Sequence, residues 1–209
     1  MKRLFGNLKM SWLTVILFAI VTGVYTGFIM LIPILENTSF QDIGISYEWW
    51  VIFAVIVVVN CDKAWEAMLK CFVFFLISQP LVYAVEVVFG SLSLEQAKYY
   101  YFGIWLPMTF LTLPGGLIAY FCKKQNVIGG VILGLGNTIQ AIHVLAYFGM
   151  AMRNFPHHLL SGIVSIVSII VMTLCIQEEK KNRLVVFLTI FVMLVVILVL
   201  LKVSGRVLF

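Results

Sequence analysis

The sequence predicts an all-α, polytopic transmembrane bundle organised as a single integral-membrane domain over residues 1–209, and three observations carry that reading. Apolar residues make up 63% of the chain and charged residues only 11%, whereas soluble domains have roughly 45–50% and about 25%. Mean hydropathy is +1.10. The apolar residues fall in long runs separated by short polar segments, and ~20 such residues are what a helix needs to cross the hydrocarbon core. Helices are expected rather than barrel strands, because backbone groups in hydrocarbon must be satisfied within the segment and the runs far exceed the ~10 alternating residues of a barrel strand. Little chain remains for an extramembrane catalytic domain, which places the chemistry inside the bilayer or at its edges.

Seven spans are read, at 12–35, 47–60, 68–90, 99–122, 127–152, 159–176 and 184–203. Basic residues precede the first apolar stretch, but it is too long for a secretory leader and lacks a small-x-small cleavage site, so it reads as a retained helix. The second span is short. Asn60, Cys61 and Asp62 must turn the chain back without Gly or Pro, and if 47–60 failed to cross, the count would fall to six and all later spans would invert. Lys63, Glu66 and Lys70 follow as a solvated helix start, with Glu66 and Lys70 at the favourable i, i+4 spacing.

Basic loops are retained on the cytoplasmic side. With the amino terminus inside, Lys2, Arg3, Lys9, Lys63, Lys70, Lys123, Lys124, Lys180, Lys181 and Arg183 are cytoplasmic, while Lys98, Arg153, Lys202 and Arg206 are outside. Ten against four predicts a cytoplasmic amino terminus and an outer carboxyl terminus, in a cell-membrane protein. In the same arrangement Cys61, Cys71, Cys122 and Cys175 all sit at cytoplasmic ends, where thiols stay reduced. Tyr47, Trp49 and Trp50, and likewise Tyr99, Tyr100, Tyr101 and Trp105, mark the outer water interface. The net charge of +5 is accounted for by the inner loops, with no basic block that would call for nucleic acid or a phosphoinositide. Comparing spans one to three with five to seven reveals no shared motif of a repeat transporter.

Strongly polar side chains inside spans are costly and become candidates for function. Span three carries Gln79, Tyr83 and Glu86 on a stripe ~60° wide, and span five carries Asn137, Gln140, His143 and Tyr147 within ~120°. Glu86 and His143 come out at similar depth, ~24–27 Å along their helices, where they would form a proton-exchanging pair. Span four holds Pro107, Thr109, Thr112 and Pro114-Gly115-Gly116, a sequence able to kink or break the helix against a cavity. Pro80 is expected to kink span three. Gly130 and Gly134 have the small-xxx-small spacing that permits close helix packing.

The same geometry argues against the common enzyme constellations. The histidines lie near the outer face and the cysteines near the inner one, which separates any Cys-His dyad, and Asp42 and Asp62 fall on opposite sides. Glu178-Glu179-Lys180-Lys181-Asn182-Arg183 resembles the Glu-Glu-x-x-x-Arg string of prenyl-endopeptidase-like membrane proteases over those six residues; no histidine follows Arg183, and the string reads as a charged loop. His157-His158 lack metal-ligand spacing.

The leading expectation is a small-solute or ion transporter or channel with a polar cavity between spans three, four and five. Gln79, Tyr83, Glu86, Thr109, Thr112, Asn137, Gln140, His143 and Tyr147 would contact the solute. No catalytic residue, metal or cofactor is expected. The partners are the lipid bilayer and the solute, with a second copy or another membrane protein as further candidates. Two alternatives stand beside it: an accessory, sensory or immunity-type membrane subunit, and a membrane-embedded enzyme with an outward site built from Glu86, His143, His157 and His158.

Overall fold

The computed structural model describes residues 9–204, so Lys2, Arg3 and Arg206 lie outside the described residues, as do the side chains of Ile45 and Tyr47. Seven helical stretches among the described residues are long and apolar enough to cross a membrane. Helix α1 (Trp12–Met30) starts at Ser11, whose hydroxyl accepts the Thr14 N–H at 3.1 Å. It stops five residues before the expected 35. Pro33 has no N–H to continue the ladder and pushes Ile32 to an extended φ/ψ of −96°/100°.

The second crossing is longer than 47–60. It comprises α2 (Ser39–Ile45) and α3 (Tyr47–Val59), interrupted at Ser46, which is extended with φ −72° and ψ 154°. The turn that follows manages without Gly or Pro because side chains cap the last carbonyls: Asn60 Nδ2 donates to Ile56 O at 2.8 Å and the Cys61 thiol to Val57 O at 3.2 Å. Burial pushes that thiol up to about 11.

Helix α4 (Ala64–Val88) runs through Pro80 and opens four residues before 68. Lys70 is not solvated as expected. It is buried, paired with Glu66 and donating to the Met10 carbonyl, because the chain before α1 folds over it. The fourth crossing starts at Leu94, not 99, and joins α5 (Leu94–Tyr100), a π turn over Tyr101–Trp105, α6 (Leu106–Ala119) and a 3-10 turn over Tyr120–Lys123. The expected break at Pro114-Gly115-Gly116 does not occur, since α6 passes through those residues. The irregularity lies more than two turns earlier, at Tyr101–Trp105, where the wide π turn accommodates the Pro107 ring. Helices α7 (Val127–Arg153), α8 (Leu159–Ile176) and α9 (Lys180–Val203) complete the bundle.

Two close seams organise the packing: α1 lies along α4 and α7 along α9. A Cβ on Gly23 would sit 2.5 Å from Ser78 O, and one on Gly27 2.7 Å from Val85 Cβ. Gly130 and Gly134 meet α9 in the same way, with Thr189 Cβ 2.6 Å from a Cβ on Gly134. Only glycine allows such approach, and in lipid this contact is the main source of helix association. The loops at one end are stitched together: Tyr120 hydroxyl donates to Asp62 O at 2.5 Å, Gln125 Nε2 to Ile176 O at 2.7 Å and Glu178 N–H to Gln125 Oε1 at 2.8 Å. Lys63, Lys123, Lys124, Lys180, Lys181 and Arg183 lie in or beside these loops, and we refer to this as the basic end.

Candidate functional site

Between α3, α4, α6 and α7 lies a cavity of about 680 Å³. It forms because α6 and α7 touch sparsely and because the positions facing it include Gly115 and Gly136, where an added Cβ would meet nothing within 4 Å. The neighbouring Gly116 shows the contrast, its Cβ position lying 3.1 Å from Cys71 Cβ on α4. Trp50, Phe75, Trp105 and Leu133 are among its walls. Along the fourth crossing the lining extends from Trp105 to Cys122, ~25 Å at the α-helical rise and so most of the hydrocarbon thickness. Leu111 and Ile118 on α6 and Leu135 and Ile139 on α7 line it while remaining exposed. The cavity therefore opens sideways between these helices.

This is not the polar cavity expected between spans three, four and five. It recruits α3 from the second crossing, and the hydroxyl, amide and imidazole groups on its wall are those of Thr109, Thr112, Asn137 and His143. Both threonines spend their hydroxyls on their own helix, Thr109 donating to Trp105 O at 2.8 Å and Thr112 to Thr109 O at 2.6 Å. Asn137 Nδ2 donates to Thr173 Oγ1 at 3.3 Å, whereas its Oδ1 is buried with no partner. Gln79, Tyr83, Glu86, Gln140 and Tyr147 are not on the wall. Gln79, Glu86 and Gln140 are buried inside the protein with side-chain atoms unpaired, and Tyr83 stacks on Tyr100 at 6.3 Å between ring centres. Trp50 and Trp105, expected at the water interface, face the cavity, and Trp50 is also wedged among Phe53, Phe74 and Phe75.

At the end of the cavity away from the basic loops, a chain of acid and base groups backs its wall. The expected Glu86–His143 pair is not formed. Instead His143 Nε2 lies 3.6 Å from Glu48 Oε2, and the Tyr147 hydroxyl donates to Glu48 Oε1 at 2.5 Å. The Tyr147 ring stacks on His158, whose Nδ1 is 2.7 Å from Asp42 Oδ2, and the Ser161 hydroxyl donates to the same oxygen at 2.6 Å. His158 holds a left-handed φ of 66°, a conformation uncommon for a side-chain-bearing residue. Glu48 is not among the residues that the sequence singles out, since a carboxylate in the first turn of a helix is ordinary N-terminal chemistry. A carboxylate followed by two tryptophans at the start of a strongly apolar run was the available signal. The outward Glu86/His143 enzyme site is thus not assembled, and among the described residues no cluster of three or more His, Cys, Asp or Glu side chains is disposed to hold a metal ion.

Comparison with protein-family profiles, curated proteins and solved structures yields no match to this chain. The arrangement of its own residues is therefore what bears on function.

Proposed function

We propose that this multi-pass membrane protein is a carrier for a lipophilic small molecule, which enters from the bilayer between α6 and α7. The observation that carries the reading is the lipid-facing apolar cavity. Its volume of about 680 Å³ falls within the roughly 300–1,000 Å³ of small-molecule sites, whose usual composition is apolar walls with a few placed polar groups. His143, on the wall with its side chain 29% exposed, supplies one such group. The length of the lining along the fourth crossing favours passage over mere storage, since a ligand moving within it would traverse most of the bilayer. Transport remains the class of function that the sequence suggested; the solute changes from polar to lipophilic because the wall is apolar.

The test uses Gly136→Leu, which fills the cavity where there is free space and replaces glycine by a better helix former. Lipophiles extracted from the purified wild-type protein are identified by mass spectrometry, and their flux is followed in reconstituted vesicles. A molecule retained and moved by wild type but not by Gly136→Leu is the expected result. Equal retention and flux by both proteins would remove the cavity from the function, and a stoichiometric protein partner with no bound lipophile would favour the accessory-subunit reading.

A further inference from the structure

We propose that the carried lipophile is a single unbranched hydrocarbon chain ending in one neutral hydroxyl, a long-chain alcohol, held with its hydroxyl on His143 Nε2 and its chain laid along the fourth crossing toward Cys122. The inference rests on the carrier reading and adds the substrate class and its orientation.

The chain follows from the shape of the cavity. Its volume of about 680 Å³ is spread along a lining of ~25 Å, which gives a mean cross-section of ~27 Å². Apolar atoms in contact lie ~4.0–4.5 Å apart, so one extended chain fills roughly 16–20 Å² of that section and a second does not fit beside it. A rigid fused-ring lipid, several carbons wide, is too broad for the same reason. Bonds of ~1.5 Å at tetrahedral angles advance a chain by ~1.25 Å per carbon, so sixteen carbons reach ~20 Å and stay within the length of the lining. Leu111, Gly115 and Ile118 on α6, and Ile132, Leu135 and Gly136 on α7, give that chain walls without side-chain donors or acceptors.

The head group follows from what the wall carries. Among the described residues no Lys, Arg, Asp or Glu lines the cavity, and Glu48 Oε2 is enclosed behind the wall. A charged head of either sign would be desolvated there without a counter-ion, which is costly. The hydroxyls of Thr109 and Thr112 donate to their own helix, and Asn137 spends its Nδ2 on Thr173 while its Oδ1 is buried. That leaves His143. It is the last residue of α7 on the wall at the end away from the basic loops, as Trp105 is on the fourth crossing, and α7 continues past it to Arg153, ~15 Å farther. Its Nδ1 lies 2.9 Å from the Ile139 carbonyl oxygen; a carbonyl only accepts, so Nδ1 carries a hydrogen. Its Nε2 is 3.6 Å from Glu48 Oε2, beyond hydrogen-bond distance, and is therefore uncommitted. A hydroxyl both donates and accepts, so it pairs with Nε2 in either protonation state of the ring. Surrounded by lipid chains, the same hydroxyl would have no partner, and this difference draws the head to His143.

The experiment uses the full chain in phosphatidylcholine nanodiscs. Radiolabelled 1-hexadecanol and hexadecane are bound separately, each corrected for partition into empty nanodiscs, and cholesterol and hexadecyltrimethylammonium compete at equal mole fraction. Wild type should bind one hexadecanol per chain. Hexadecane, which lacks the hydrogen bond, should bind about tenfold more weakly, and neither the fused-ring alcohol nor the cation should compete to within about tenfold of hexadecanol itself. His143→Phe keeps a flat ring and removes both ring nitrogens; it should weaken hexadecanol about tenfold and leave hexadecane unchanged, a split that a merely structural loss would not produce. If hexadecane binds as tightly as the alcohol, if folded His143→Phe binds the alcohol as wild type does, or if cholesterol or the cation competes equally, this inference is overturned and the carrier reading stands. If hexadecanol does not bind beyond partition, the inference is likewise overturned, and the extraction and flux comparison above decides the carrier reading. Wild-type binding by Gly136→Leu would put the alcohol outside the cavity and overturn both. The wild-type series decides the matter even if His143→Phe fails to fold.

Discussion

Helix α7 carries glycines on two faces with opposite outcomes. On one face Gly130 and Gly134 meet α9 so closely that no Cβ would fit, while on the other Gly136 looks across open space toward α6. The chemistry of the residue is the same; the difference is whether a neighbour fills the groove. Lipid tails are as apolar as the side chains, so helices gain little from hiding apolar surface and associate where van der Waals contact is good. Where contact is poor, an apolar void is the result, and such a void is suited to an apolar ligand.

The largest test of this contrast is Gly134→Leu. Its side chain would be forced into Thr189 and the Val186 carbonyl, and overpacking of this kind should cost about 3 kcal/mol, read as a loss of stability in denaturant titration of the micellar protein. An unchanged midpoint would mean that the α7–α9 seam is loose. Next is the packed turn at the basic end. Because burial raises the Cys61 thiol from 9.0 to about 11, its thiolate fraction at pH 8 is about a hundredfold below that of an unperturbed cysteine, and the thiolate is the reactive form. Peptide-resolved alkylation should be slower by that factor and should rise about tenfold per pH unit up to pH 11; reaction at the rate of a free thiol would show the turn to be open.

Tyr147→Phe probes the wall behind the cavity. It removes the hydroxyl donor to a buried carboxyl oxygen of Glu48, and leaving that oxygen without its hydrogen bond should lower stability by about 2 kcal/mol. The smallest stability effect belongs to Gly136→Leu, within about 1 kcal/mol of wild type, since free space and better helix propensity offset the change. A large destabilisation there would show that the apparent space is occupied.

Much of the fold was legible. The apolar runs located all seven helices, and the Gly130/Gly134 spacing marked a seam because small residues four apart have a direct steric meaning. Boundaries failed where local chemistry overrode hydropathy: Pro33 stopped α1 early, and Ser39–Ile45 extended the second crossing through a break at Ser46. The site was only partly legible. Asn137 and His143 do reach the cavity, but Gln79, Gln140 and Glu86 are enclosed in protein, and the partner of His143 is Glu48, 95 residues earlier in the chain. Helical periodicity tells which residues share a face of one helix. It carries no information on which helix that face meets.

By itself, then, the sequence determined that this chain is a helical membrane protein, because the length and hydropathy of a crossing are properties of contiguous residues. It also showed which groups were too polar to face lipid. Tertiary structure alone decided that the cavity is apolar and opens between α6 and α7, and that Glu48 and His143 come together at its end. Both depend on distances between helices far apart in the chain, set by whether side chains such as Thr189 fill a neighbour's groove or, as at Gly136, leave it empty.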